Sequence, residues 1–404
     1  MPRGFLNLNI VRFSCAGFAV ILCLFPGCKK SEQLPLTSFL SPPTVDEQFY
    51  SVTNPFTGSG KSEILFALNP KNVNTGNLFI VDEKGSIKIE KSVGKDVQNL
   101  QKWIIGGKAR YTFFLSRGAA TLDSIPGTEL GYEYICDSAL NIIDSVKLLS
   151  YKNIDAGIQD KLDVHEFILL GDHHYICETY YREQPDNIPD SLHPAAGVKV
   201  CAGIIQEVDN GNVIFQWDGT NYPEFYASSM ENNDFSDLSI THDYMHLNSI
   251  CIDSTDNNLI VSFRNLNEIV KLNRVTGQIM WRLGGANSDF LLTADQSFLR
   301  QHYARVIENG KTLIFLDNGI TGVRAYSRIL EFQLDEQART INSFKSYMIP
   351  DNFIQFAGSV QKEGDEYFIG GGSGNYAIRV NYNTNEILFR LNYKISSYRT
   401  LIYH

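Results

Sequence analysis

The chain has 404 residues, 43% of them hydrophobic, 20% charged and 12% aromatic. It is too apolar for a disordered polypeptide and long enough to bury a sizeable core. Thirty-five basic against 45 acidic side chains give a net charge of -10. No Lys/Arg run is present to neutralise phosphates, so no nucleic-acid partner is expected, and an anionic substrate could be held only by a local cationic cluster.

The first segment reads as an address. Arg3 and Arg12 flank a short polar stretch, and an uncharged apolar run follows from Phe13 to Phe25. The run is too short to cross a bilayer comfortably and is patterned like a secretory signal. It ends in Phe25-Pro26-Gly27-Cys28, a small residue before a cysteine, which resembles a bacterial lipoprotein cleavage site. The expectation is a signal peptide over 1–27, acylation of Cys28, and a Pro- and Ser-containing tether over 28–45. The protein would then be exported to the cell envelope, periplasmic or outer-membrane-anchored, touching the membrane through its lipid alone. Ordinary signal cleavage with Cys28 lost or free is the alternative.

From residue 46 to the end, short runs of period two are bounded by Gly, Asn and Asp, as strands and tight turns require. Six segments share a strand, a turn built on Asp or Asn, and a second strand; their turn markers are Asp82, Asp137, Asp209, Asn273, Asp335 and Asn383. The markers recur roughly every 50 to 70 residues, and a second hairpin precedes most of them, as in Phe167–Cys177, Ile252–Ser262 and Val306–Leu316. Two hairpins per unit make four strands. Six such units predict an all-β fold, a six-bladed β-propeller of four-stranded blades in one domain over 46–404. A sandwich or a β-helix is the competing architecture.

Cysteine use is modest. Cys136, Cys177, Cys201 and Cys251 lie beyond the leader without a Cys-x-x-Cys pair, which argues against a thiolate zinc site. Cys177 and Cys201 fall in two strand-like segments that could share a sheet; a disulfide and two buried free thiols both stay open.

Three histidines occupy one equivalent place. His165, His246 and His302 each stand at the head of the first hairpin in three consecutive units, where the next unit has Ala357 or Gly358. In a propeller, such positions converge at one mouth of the central channel. Arg264 ends the strand that returns beside the one begun by His246, and Asn248, two residues on, is placed on the same side by alternation. Imidazoles with a guanidinium suit an oxyanion whose charge is spread over several oxygens. Tyr244 and Phe263 are candidates to stack an aromatic ring, or are core. His242 is a candidate to line the site, whereas His173 and His174 read as solvated turn residues, and Gly370-Gly-Gly-Ser-Gly as a tight inter-strand turn.

The stretches His242-Asp-Tyr-Met-His-Leu-Asn-Ser, Ile260-Val-Ser-Phe-Arg-Asn, Phe298-Leu-Arg-Gln-His-Tyr-Ala-Arg, Phe315-Leu-Asp-Asn-Gly and Ser397-Tyr-Arg resemble the bacterial arylsulfate sulfotransferases from about Asp163 onward. The resemblance implies a six-bladed, exported propeller, independent of the nucleotide sulfate donor. Such an enzyme moves a sulfuryl group from a phenolic sulfate ester to a phenol through a sulfohistidine, without cofactor or metal. It implies His302 as nucleophile, His246 as stabiliser or proton carrier, Arg264 and Asn248 as holders of sulfuryl oxygens, and His165 facing the ester oxygens. Tyr303 stands where the family usually has a smaller or acidic residue, so it is a substrate-contact candidate. Two other functions compete: a metal-dependent propeller hydrolase or lyase with the three histidines as zinc ligands, and a non-catalytic binding propeller of the envelope. Arg264 argues against the first, because a guanidinium repels a dication.

Overall fold

The computed structural model describes residues 49–54, 61–71, 73–350 and 353–404. The expected signal peptide, Cys28 and the tether lie outside them. The described residues form six small antiparallel sheets in a ring, a six-bladed β-propeller. No helix among them is long and apolar enough to cross a membrane.

From the axis outward, blade 2 comprises Val97–Ile105, Lys108–Thr121, Glu129–Cys136 and Ile142–Val146. Blade 3 comprises Phe167–Gly171, His174–Glu183, Lys199–Asp209 and Asn212–Asp218. Blade 4 holds Leu247–Ile252, Leu259–Phe263, Glu268–Leu272 and Ile279–Gly284; blade 5 holds His302–Ile307, Thr312–Asp317, Arg328–Asp335 and Thr340–Met348. Blade 6 runs Ser359–Glu363, Glu366–Gly370, Tyr376–Asn381 and Glu386–Tyr393, with Tyr50–Asn54 added on its outer edge. Blade 1 takes its innermost strand from the carboxyl terminus: Thr400–Tyr403 pairs with Glu63–Leu68, followed outward by Thr75–Val81 and Ile87–Gly94. Both ends of the propeller chain are thus woven into neighbouring blades.

The sequence pattern explains the blades. Inner and middle strands are sandwiched between adjacent sheets and read as continuous apolar runs; Leu259–Phe263 is buried throughout. Outer strands, with one side in water, mix exposed and buried positions, as in Glu386–Tyr393. The turn markers join the third and fourth strands of every blade. Asp82, Asp137, Asn273 and Asp335 accept backbone N–H bonds from residues two to four positions on, which closes the turn. In blade 6 that role belongs to Asn381 rather than Asn383.

Glutamines tie blade to blade. Gln301 donates to the carbonyls of Phe263 and Glu268, and Gln361 exchanges two bonds with Ile402, at 2.8 and 2.7 Å. The strands carrying Cys177 and Cys201 pair, but Cys177 faces Gln206 and Cys201 faces Arg182, and both thiols are buried and free.

Candidate active site

The innermost strands all start at the same end of the ring. The residues just before them, Asp96, His165, His246, Ala357 and Tyr398 among them, line one cavity of about 850 Å³, together with His302, the first residue of its own strand. Connections between second and third strands complete its wall, supplying Glu129, Arg264, Asn265, Gly372 and Ser373.

The structure therefore brings His165, His246, His302 and Arg264 together. The rings of His165 and His246 meet edge to face with centroids 5.0 Å apart. Each of the three imidazoles is fixed through Nδ1. That of His165 bonds Asp163, that of His246 bonds Asp243 at 2.5 Å, and that of His302 bonds Asn318 Oδ1 at 2.8 Å. In each ring Nε2 is left as the nitrogen available to the cavity.

The partners differ in a chemically decisive way. Asp163 and Asp243 are carboxylates, which stabilise an imidazolium. Asn318 is neutral. Its amide nitrogen donates to the carbonyls of Ile354 and Ala357, at 2.9 and 3.1 Å, so its oxygen must be the atom facing His302. His302 then carries its hydrogen on Nδ1 and a lone pair on Nε2. Burial, followed by the charge of Arg264, holds its pKa well below the ordinary histidine value; burial also lowers that of His165.

Arg264 follows its strand in a short turn. Its Nη1 bonds Glu231 at 3.2 Å and Asn265 at 2.5 Å, which aims the guanidinium without enclosing it. Burial lowers its pKa from the free value, yet an arginine remains a cation. Across the cavity, Glu129 is pushed up to about 7, mainly by burial and then by Asp163 and Asp96. Gly127, with φ +87°, packs against His246: a β-carbon there would lie 3.1 Å from its Cε1.

Four residues offered by the sequence as substrate contacts sit elsewhere. Asn248 is fully buried and donates to the Gln301 carbonyl at 2.7 Å, stitching blade 4 to blade 5. The reason is local: His246 has φ +51° and the register slips between Leu247 and Ser249, so strand alternation does not carry from 246 to 248. Tyr303, at φ +57°, is buried, with the guanidinium carbons of Arg305 and Arg399 at 3.8 and 4.9 Å from its ring centroid. Tyr244 packs on Tyr226 at 4.5 Å, and Phe263 on Trp217 at 5.6 Å, both in the core. His242 is buried between the carbonyls of Asn232 and Asp237, pinning a loop. His174 is bonded to Glu207 rather than solvated. The glycine run forms a turn between the second and third strands of blade 6 and reaches the cavity through Gly372 and Ser373.

The residues that sequence reading missed are the partners: Asp163, Asp243, Asn318 and Asn265. All four lie within or beside the quoted motifs, and an Asp two or three residues ahead of His165 and His246 was the visible signal. As a metal centre the triad of histidines fails on geometry. Among the described residues, the three side chains whose ligand atoms lie within 4.8 Å of one another are Asp163, His165 and Glu178. There the His165 Nδ1 is already directed at the Asp163 carboxylate.

Comparison with known proteins gives a family match over nearly the whole chain. The family model "Arylsulfotransferase (ASST)" matches residues 42–404. No curated protein matches the sequence significantly. Among solved structures, the chain is similar to a protein of unknown function from Bacteroides caccae, at 9% identity over 84% of this chain and 98% of that one, TM-score 0.45. It is also similar to the Cps50 (Swd1) β-propeller domain of Myceliophteria thermophila, at 9% identity over 83% and 88%, TM-score 0.44. A third is apo AztD from Citrobacter koseri, at 7% identity over 85% and 98%, TM-score 0.40. The family match takes in all six blades, and on that ground the chain belongs to the arylsulfotransferase family and is a sulfotransferase working on small-molecule donors and acceptors.

Proposed function

We propose that the enzyme moves a sulfuryl group from a phenolic sulfate ester to a phenol by a ping-pong reaction, with His302 as the group that becomes sulfated. The observation that carries this reading is the neutral Asn318 behind His302, set against the carboxylates behind His165 and His246. A nucleophilic imidazole must keep its lone pair, while an imidazole that trades protons must be able to hold one.

In the first half, His302 Nε2 attacks sulfur in line, the bond from sulfur to the aryl oxygen breaks, and the phenolate leaves. Sulfuryl transfer shares with phosphoryl transfer a loose transition state with charge on the peripheral oxygens. Arg264 is the cation placed to receive that charge, and positioning plus preorganised donors supply most of the acceleration. An imidazolium at His246, backed by Asp243, protonates the departing phenolate; His165, backed by Asp163, faces the ester oxygens. In the second half the neutral His246 takes the acceptor phenol's proton, the phenolate attacks sulfur, and the bond from sulfur to Nε2 breaks.

The test is incubation with a chromogenic aryl sulfate, with and without added phenol. Phenol-dependent chromophore release, parallel initial-velocity lines and a sulfuryl mass increment on the peptide containing His302 are expected. Intersecting lines, or a His302→Ala protein that still transfers, would overturn the covalent scheme, and activity lost on exhaustive chelation would revive the metal reading.

We also propose export and lipidation at Cys28, on the pattern of the leader. Metabolic labelling with a fatty acid should mark the wild type and fail on Cys28→Ala.

A further inference from the structure

Behind His165 lies a carboxyl pair, Asp163 and Glu178, of which the mechanism above uses only Asp163. Asp163 receives the imidazole Nδ1 and the His165 backbone N–H on one oxygen, Oδ1. Its other oxygen, Oδ2, is buried and finds no donor. Glu178, on the second strand of blade 3, is 1% exposed and accepts the Glu166 N–H at 3.1 Å on Oε1. Its Oε2 is likewise buried without a donor.

Two ionised carboxylates with oxygens within 4.8 Å of each other, both removed from water, would repel each other and leave two acceptors empty, a cost buried sites do not sustain. The nearby cations do not relieve it, since Arg305 and Arg399 both bond the third acid, Glu166. One hydrogen between Asp163 and Glu178 satisfies both empty oxygens. We propose that Glu178 is a neutral carboxylic acid whose O–H donates to Asp163, so that Glu178, Asp163 and His165 form a buried chain ending at the cavity. Glu178 is then a positioning residue: it fixes the Asp163 carboxylate, which fixes the ring and tautomer of His165. Burial, with the charge of Asp163 next, raises the Glu178 pKa well above the carboxylate range, in keeping with that state.

A divalent cation shared by Asp163, His165 and Glu178 is the competing occupant.

The catalytic consequence rests on the sulfuryl-transfer reading, but the protonation state does not. Glu178→Gln keeps the acceptor for Glu166 and offers Asp163 an N–H, so transfer within about threefold of wild type is expected. Glu178→Leu fills the space without a donor, and a loss of about tenfold or more is expected. Infrared spectra should show a protonated-carboxyl band in the wild type that is missing from Glu178→Gln. A folded Glu178→Gln as impaired as Glu178→Leu, no such band, or a stoichiometric metal in the purified wild-type protein would each overturn the proposal. A wild type with the band but without transfer would instead sink the sulfotransfer reading and leave the neutral acid standing.

Discussion

Replacing Asn318 by Asp tests the assignment of His302 while preserving shape. The substitution removes two N–H donors, at 2.9 Å from the Ile354 carbonyl and 3.1 Å from that of Ala357. The single Ser327 hydroxyl hydrogen lies between the Asn318 carbonyl at 2.8 Å and that of Ile354 at 3.2 Å, so Ile354 keeps a shared donor and the larger penalty falls on Ala357. That costs about 1–3 kcal/mol, which for a chain of this size lowers Tm by a few degrees. The protein should therefore fold. Its chemistry should change more: a carboxylate at Nδ1 stabilises the imidazolium by the worth of a charge-assisted hydrogen bond, about 1.5–3 kcal/mol. At 1.36 kcal/mol per unit that raises the His302 pKa by about one to two units. In the wild type this pKa is held well below the ordinary value, so the nucleophile stays neutral into mild acid. In Asn318→Asp, protonation persists to higher pH, and the acid limb of kcat/KM for aryl sulfate moves toward alkaline pH by the same one to two units. Activity should recover as pH rises. An acid limb that stays in place in a folded variant would refute the assignment.

Two further outcomes are expected. Gly127→Ala places a methyl group 3.1 Å from His246 Cε1 at φ +87°. It should cost about 1–2 kcal/mol in a thermal melt and, by displacing an imidazole that Asp243 holds, lower kcat by about tenfold or more; unchanged turnover would show that the loop does not press on His246. Lys271 joins buried Asp253 at 2.9 Å to Asp256 and Glu336 at 2.8 Å across the outer part of blades 4 and 5. Lys271→Met strands Asp253, which should cost about 3–5 kcal/mol in denaturant unfolding, and Asp253→Asn should restore part of it. Burial raises the Asp253 pKa, but the bonds from Lys271 and Thr255 together outweigh this and lower it, so the stability these contacts provide exists above the unfolded Asp value. It is lost as pH falls through the depressed folded value, and that acid sensitivity should fade in Lys271→Met.

The propeller was legible because its turns are local. An Asp or Asn that caps its own hairpin leaves a mark in five of the six blades, and strands packed between sheets show as apolar runs. Ring closure was not legible: Thr400–Tyr403 pairs with residues more than 330 positions earlier, and no local preference records that. In the site, His165, His246 and His302 were legible as a set because each repeats a position relative to its strand. Asn248 was misread where the strand rule was carried through a left-handed residue and a register slip, and Tyr303, offered from the family resemblance alone, sits at another such residue and slip. Glu129 and Glu178 were invisible because their character comes from what buries them, which only the assembled ring supplies.

The seam at blade 1 also sets a condition on the ring. The strand nearest the axis there, Thr400–Tyr403, pairs with Glu63–Leu68 across more than 330 positions of sequence. Without it five axial strands remain, with an open gap where the sixth belongs. Removing residues 398–403 would take Tyr398 out of the cavity wall along with the closing strand, so one short segment serves as both keystone and lining.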